Sequence, residues 1–98
     1  MTFWPFNARP LGVQTALSVG SSAVALTVHA GAQFALISVE TAAVRWRDDG
    51  VAPTATTGVL LPETSATEPW TYVGTKGLQD IKFIAVTGTA SLNVSYYG

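Results

Sequence analysis

The residues whose types and spacing could do chemistry are concentrated in one stretch, "VRWRDDGVAPTATTG", at residues 44–58. Alternate side chains of a strand share a face, so we expect Val44 and Trp46 on one face and Arg45 and Arg47 on the other. Two like charges on one face repel unless carboxylates lie nearby. The stretch therefore predicts a strand whose arginines need acidic partners.

Asp48 and Asp49 follow the strand directly and can supply those carboxylates, as can Glu40 or Glu63 from neighbouring strands. Gly50 can take the positive φ that ends such a turn. Beyond it, "VAPTATTG" should run extended across the surface. Two interpretations remain open: a structural turn with local ion pairs, or a contact surface between subunits, for which the planar arginine fork is well suited. The candidate interface residues are Arg45, Trp46, Arg47, Asp48 and Asp49.

Catalytic and metal-binding interpretations are disfavoured by the same residues. Asp48 and Asp49 are adjacent, so on an extended backbone their side chains diverge, and the stretch lacks the alternating carboxylates and final glutamate of an EF-hand loop. His29 follows an apolar strand and has no carboxylate or cysteine near it in sequence that could orient it as a general base. No nucleophile, zinc or phosphate-loop motif is present. We expect neither an enzyme nor a cofactor nor a metal.

The chain has too little charge for a typical isolated monomer. Only 11% of its 98 residues are charged, against about 25% in an average protein. The net charge of −1 gives no reason to expect a nucleic-acid partner. A domain of this size buries only about 60–65% of its unfolded surface, so partners often cover the rest. We expect a homo-oligomer.

Membrane insertion is not expected, although no charged residue occurs between Pro10 and Val39. That segment is interrupted by serine, glycine, threonine, histidine and glutamine. Its apolar residues also alternate, as in Val24, Leu26 and Val28, which is the pattern of a strand. A signal peptide ending near "VHA" would have only Arg9 as its basic start and is not expected either.

Short strands separated by turn signals predict an all-β fold, a small antiparallel β-sandwich or jelly-roll-like domain over residues 13–98. In "TKGLQD" we expect a single helical turn at most. The predicted strands lie near residues 13–19, 23–29, 33–40, 42–47, 58–62, 69–74, 80–87 and 89–97.

The last two predicted strands should form the centre of the core. "ASLNVSYY" alternates, with Ala90, Leu92, Val94 and Tyr96 on one face, as in a half-buried strand. The preceding "DIKFIAVTG" is apolar on both faces, so it is either central or covered by another subunit. The short turn around Gly88 predicts that the two strands pair as a hairpin.

Residues 1–12, "MTFWPFNARPLG", predict an extended N-terminal arm, because Pro5 and Pro10 exclude regular helix and discourage sheet. The arm either folds back on its own domain or docks in a neighbouring subunit, since exposed aromatic residues are a liability in a monomer. The candidate partner-binding residues of the arm are Phe3, Trp4, Phe6 and Arg9.

The stretch "VRWRDDGVAPTATTG", the aromatic "EPWTYVG" and the C-terminal "LQDIKFIAVTGTASLNVSYYG" carry a family resemblance. Together they resemble a group of small tailed-bacteriophage proteins with an R-[YFW]-R-D-D-G-x-x-P-T-A-x-x-G stretch and a final A-x-L-N-V-x-Y-Y strand. The resemblance covers residues 44–98. It implies an accessory structural protein of the virion, encoded among head and packaging genes.

The resemblance implies a capsid decoration protein, of the cement or minor capsid type, on the capsid surface after synthesis in the host bacterial cytoplasm. Its partners would be the major capsid protein and further copies of itself, most simply a trimer. A head–tail connector or tail component is the alternative within the virion. From the residues alone, a small carbohydrate-binding module is an alternative of another class, with stacking platforms at Trp46, Trp70, Tyr72, Tyr96 and Tyr97.

Overall fold

Two antiparallel four-stranded sheets are present in the computed structural model, which describes residues 9–63 and 69–98. In chain order the elements are β1 (Pro10–Val19), β2 (Val24–Ala25), β3 (Phe34–Glu40), β4 (Val44–Arg47), β5 (Val59–Leu61), β6 (Trp70–Val73), α1 (Thr75–Asp80), β7 (Lys82–Ala85) and β8 (Ala90–Tyr97). The first sheet has the order β1-β8-β3-β6 and the second β2-β7-β4-β5. This is the strand order of a jelly roll. The predicted small all-β sandwich is confirmed.

β8 is an inner strand of the first sheet, because β1 and β3 pair with its two edges. Its residues alternate between buried and half-buried over the whole strand, as the sequence pattern predicted. Ile37 and Val39 of β3 lie opposite β8 and are fully buried with it. Across the interior, Val44, Phe83 and Ile81 close the same hydrophobic core.

The prediction that β7 and β8 pair as a hairpin is wrong. β7 pairs with β2 and β4 in the second sheet, while the chain crosses after Gly88 to place β8 in the first. Both strands bury apolar side chains in the same interior, but they do so from opposite walls of it. An alternating pattern shows that one face is buried and does not show which strand lies alongside. Of the two alternatives for β7, the structure shows the first, because β7 lies between β2 and β4 in its sheet.

β1 begins at Pro10, so residues 10–12 of the predicted arm belong to a strand instead. A proline is tolerated as the first residue of a strand at a sheet edge, where no ladder hydrogen bond from its nitrogen is needed. The register of β1 against β8 shifts twice, and the second shift lies around Ala16, which has φ 51°. The Ala16 N–H donates to Asn93 Oδ1 at 3.0 Å instead of to the ladder. Such bulges discourage pairing with a further strand.

Two predicted elements differ in length. Only Val24–Ala25 of predicted residues 23–29 joins a ladder, and the Thr27 N–H donates to Gln14 Oε1 at 3.1 Å instead. "TKGLQD" forms α1, a helix of six residues that buries Leu78 in the core. None of the helices in the described ranges has the length and apolar character that a membrane crossing requires.

The outer face of the first sheet carries almost no charge. One row across its four strands reads Pro10, Tyr97, Phe34 and Val73, and the next reads Val13, Ser95, Leu36 and Thr71. Below them lie the Asn93–Ser38 and Ser91–Glu40 pairs. Among the described residues of these rows and pairs, the one charged side chain is Glu40, which accepts from Asn93 Nδ2 at 2.5 Å.

A shallow cavity of about 130 Å³ on this face is lined mostly by uncharged apolar and small polar groups. They are Val13, Leu36, Ser38, Pro69, Asn93, Val94 and Ser95. The outer face of the second sheet differs, because Arg45, Arg47 and Lys82 lie on it. The two outward surfaces of the sandwich therefore have different chemistry.

We expect Leu92→Ala to lower the free energy of unfolding by about 2–5 kcal/mol, because Leu92 is fully buried between β1 and β3. Ser95→Ala, on the same strand but on the outer face, should change it by less than about 0.5 kcal/mol. Chemical denaturation of both variants measures the difference. Equal effects would show that β8 does not hold the core.

Candidate functional site

The candidate residues lie in β4, an inner strand of the second sheet, and directly after its last residue, Arg47. β4 pairs with β5 on one edge and β7 on the other, which places Arg45 between Leu60 and Ile84 on the outer face. Val44 points inward and is fully buried, and Trp46 follows it on the same face and is half-buried. The predicted division of this strand between two faces is thus present in the structure.

Arg45 binds backbone carbonyls and not carboxylates. Its Nε donates to the Ala55 carbonyl and its Nη1 to the Gly58 carbonyl, both at 3.0 Å. The expected acidic partner is not found among the described residues; Glu40 instead accepts from Asn93. The planar guanidinium group of Arg45 thus holds the loop between β4 and β5 against β4 through two hydrogen bonds.

The loop at residues 53–58 is a compact turn, so the prediction of an extended segment is wrong. The Thr54 N–H donates to the Thr57 carbonyl at 2.9 Å, and the two hydroxyl groups lie 2.6 Å apart. Thr54 Oγ1 also accepts from the Thr57 N–H at 3.0 Å. Pro53 is buried beneath the turn. Short hydroxyl side chains favour such local bonds over an extended backbone.

Gly58 allows the loop to return close to β4. A Cβ at this position would lie 3.1 Å from the Trp46 carbonyl oxygen and 3.3 Å from the Arg45 Cβ. Its φ of 127° is also in a region that favours glycine. The importance of Gly58 could not be read from the sequence, because it depends on the distance between two segments.

Arg47 and Asp49 form a local ion pair. Arg47 donates through Nε to Asp49 Oδ1 at 3.1 Å and through Nη2 to Oδ2 at 2.5 Å. Asp49 Oδ1 also accepts from the Val51 N–H at 3.3 Å. The hydrogen bond from Arg47 is the main reason that the pKa of Asp49 falls to about 2. This pair matches the interpretation of a turn with local ion pairs and leaves contact with a partner open.

Asp48 faces the interior side of the strand end and accepts a short hydrogen bond from the Tyr72 hydroxyl. Burial, followed by this hydrogen bond and the charge of Asp48, raises the pKa of Tyr72 to about 12. Asp48 and Asp49 therefore diverge, as expected for adjacent residues on an extended backbone, and have different partners.

Three aromatic rings pack together behind this site. The Trp46 and Trp70 ring centroids lie 5.0 Å apart, and Tyr72 meets both indoles edge-on, at 6.0 and 5.5 Å. Trp70 also reaches Phe83 in the core, at 6.5 Å. Trp70 and Tyr72 share one face of β6, so the alternation in "WTYV" could have indicated that they act together.

An open groove of about 290 Å³ is lined by Trp46, Arg47, Asp48, Asp49, Gly58 and Val59. The structure thus brings four of the five candidate interface residues to one cavity, and Arg45 fixes its wall from outside. A volume near 300 Å³ is at the small end of the range of ligand pockets. The groove offers an aromatic surface, carboxylates and a guanidinium, which can bind a ligand but do not form a nucleophile–base pair.

Of the predicted arm residues, the structure describes Arg9. Phe3, Trp4 and Phe6 are outside the described residues. Arg9 is described, and its N–H donates to the Gly98 carbonyl at 2.8 Å while its carbonyl accepts from the Gly98 N–H at 3.0 Å. Arg9 thus continues the edge of the first sheet.

Two of the five predicted stacking residues, Tyr96 and Tyr97, already make contacts within the protein. Tyr96 is fully buried, and its hydroxyl donates to Gln14 Oε1 at 2.9 Å. Tyr97 stacks on Phe34 with ring centroids 5.1 Å apart. Trp46 is the one of the five proposed platforms that lines the groove, and Trp70 and Tyr72 support it.

His29 packs beside Tyr96, with ring centroids 5.0 Å apart, and its Nδ1 is buried without a hydrogen-bond partner. Its imidazole also fills the space beside Gly12, where a Cβ would lie only 2.4 Å from Nε2. Within the described ranges, no group of three or more metal-ligating side chains is close enough to hold an ion. His29 is a packing residue at one end of the sandwich.

Comparison with protein-family models, with curated proteins and with solved structures yields no match. Function must therefore be inferred from the residues and their geometry.

We expect Arg45→Lys to speed amide hydrogen exchange at Thr57 about tenfold, because a lysine ammonium lacks the fork that holds two carbonyls at once. The matched control is Arg47→Lys, whose partner is the exposed Asp49. Exchange measured by NMR should remain unchanged in the control. Equal acceleration in both variants would show that Arg45 does not fix the loop.

We expect Asp48→Asn to lower the pKa of Tyr72 from about 12, because the bond to a charged acceptor is lost. The value should stay above 10, since burial is the largest cause of the shift. In the parent protein, stability that is present below pH 10 should decline towards pH 12, as the unfolded chain ionises first. NMR titration of the tyrosine rings measures the shift, and Tyr96, whose pKa of about 12 comes from burial, is the internal control.

Proposed function

We propose that this chain is a structural protein of a tailed-bacteriophage virion, a capsid decoration protein that binds between major capsid subunits. The resemblance carried by "VRWRDDGVAPTATTG" and "ASLNVSYY" supports a virion protein. The jelly-roll strand order agrees with it, because viral capsid domains use this architecture, as do lectins. Since one fold hosts many functions, the surface must supply the rest of the argument.

The observation that carries the proposal is the nearly uncharged outer face of the first sheet. Val13 on β1 is 58% exposed and Val73 on β6 is 64% exposed, and these two strands form the edges of that face. Ser95 and Leu36 lie on the two strands between them. Depletion of charge at the centre of a patch is typical of protein–protein interfaces. A patch with so little charge suits attachment to the surface of a large assembly.

The first described residues of the chain lie at the edge of this face. The paired backbones of Arg9 and Gly98 place the start of β1 beside Tyr97. We propose that the arm, with Phe3, Trp4 and Phe6, adds a second contact to a neighbouring subunit, so that face and arm act together.

The proposed oligomer is a trimer, which suits a position where major capsid subunits meet. A head–tail connector or tail component would instead form rings of six or twelve copies, and native mass spectrometry separates these assemblies by mass. No geometric feature of the described residues favours the ring.

We expect Val13→Lys to weaken attachment at least tenfold, because a lysine would place charge in the proposed contact. Attachment is measured with capsid particles from which this protein is absent. Val51→Lys is the matched control, since Val51 is also exposed, at 52%, but lies on the loop after β4. Both variants should melt like the parent, as exposed substitutions rarely change stability by more than about 0.5 kcal/mol. Co-sedimentation of purified protein with the particles measures attachment.

Full attachment of Val13→Lys would overturn the assignment of this face. Failure of the parent protein to bind any such particle would overturn the proposed function itself. A variant that lacks residues 1–8 retains the Arg9–Gly98 pairing and tests the arm separately.

A further inference from the structure

We infer that the groove at the end of β4 is a binding site for an uncharged saccharide ring, with Trp46 as its platform. The groove has about 290 Å³ and is lined by Trp46, Arg47, Asp48, Asp49, Gly58 and Val59. The volume suits one ring of a longer glycan, not a large ligand. This inference goes beyond the proposed attachment function, which uses a different surface.

Trp46 is held in place before any ligand arrives. Trp70 packs against its indole at 5.0 Å and Tyr72 meets it edge-on at 6.0 Å, so one side of the ring is supported from the protein interior. A ligand therefore immobilises little additional side-chain freedom on binding. The C–H groups on one face of a pyranose carry partial positive charge, which matches the negative face of an aromatic ring.

Asp48 supplies an available hydrogen-bond acceptor beside that platform. The Tyr72 hydroxyl donates to its Oδ2, whereas Oδ1 accepts no hydrogen bond from the described part of the chain. The Tyr72 bond also fixes the orientation of the carboxylate. Asp49 differs, because both of its oxygens accept from Arg47.

Arg47 supplies a donor on the same groove. Its Nε and Nη2 bind Asp49, and its Nη1 donates to no atom in residues 9–63 or 69–98. A hydroxyl both donates and accepts, so neighbouring hydroxyls of a sugar can satisfy Asp48 and Arg47 together. A bound lysine or arginine side chain would use the carboxylate alone and would be repelled by Arg47.

The charge of the lining selects an uncharged sugar. Arg47 and Asp49 form an ion pair, which leaves the negative charge of Asp48 without a cationic partner among the described residues. Acidic sugars and phosphates would meet that charge directly. The loop wall is preorganised as well, because Arg45 holds the Ala55 and Gly58 carbonyls.

The test is an NMR titration of the full chain with linear trisaccharides of glucose, galactose, mannose and N-acetylglucosamine. At least one should shift the Trp46 indole N–H resonance to saturation at millimolar concentration. Asp48→Asn should weaken that binding at least fivefold, and Trp46→Leu at least tenfold. Glu40→Gln, which changes a carboxylate on the other sheet, is the matched control and should bind like the parent.

Asp48→Asn retains an oxygen that can accept from Tyr72 and leaves the three rings intact, so it tests the site even where Trp46→Leu fails to fold. The inference is overturned where no neutral trisaccharide shifts Trp46, where Asp48→Asn binds as tightly as the parent, or where a uronic-acid oligosaccharide or an oligolysine peptide binds more tightly. Val13→Lys should bind saccharide like the parent, and Asp48→Asn should attach to particles like the parent. Each proposal can therefore be overturned without the other.

Discussion

The constraint on which the structure depends is that β8 must bury one face while both of its edges are paired. Leu92 and Val94 point into the interior, and β1 and β3 satisfy the backbone on either side. A buried backbone group without a partner costs as much as a lost hydrogen bond, so neither edge can be left open. The second sheet then covers the apolar face of the first, with Val44 and Phe83 as its contribution. In a domain of 98 residues this single core must supply most of the stability.

The groove depends on the same core through Trp46. Val44 enters the interior as the first residue of β4, which sets the face on which Trp46 lies two residues later. Trp70 connects that indole to Phe83 in the core. Arg45, on the opposite face, holds the loop that forms the other wall. The short β4 therefore anchors one wall of the groove with its inner side chains and the other with its outer ones.

The sequence predicted those features that depend on local periodicity. The alternation in "ASLNVSYY" identified the buried face of β8, and the aspartates after β4 identified a local ion pair at Asp49. Partners distant in sequence could not be predicted. The neighbours of β8 are β1 and β3 and not the preceding strand, and the partners of Arg45 are two loop carbonyls. A side-chain pattern records whether a residue faces the core or solvent, whereas strand order and carbonyl positions follow from the path of the whole chain.

The two proposed surfaces are compatible because the sandwich separates them. The residues that line the outer-face cavity of the first sheet and those that line the groove share no member. The first surface is nearly uncharged and suits a permanent protein contact, whereas the groove keeps a carboxylate and a guanidinium exposed to solvent. Burying the groove against a partner that brings no cation would desolvate Asp48, which is costly. A domain attached through the outer face of its first sheet therefore leaves the groove free to meet a ligand that brings its own hydroxyl groups.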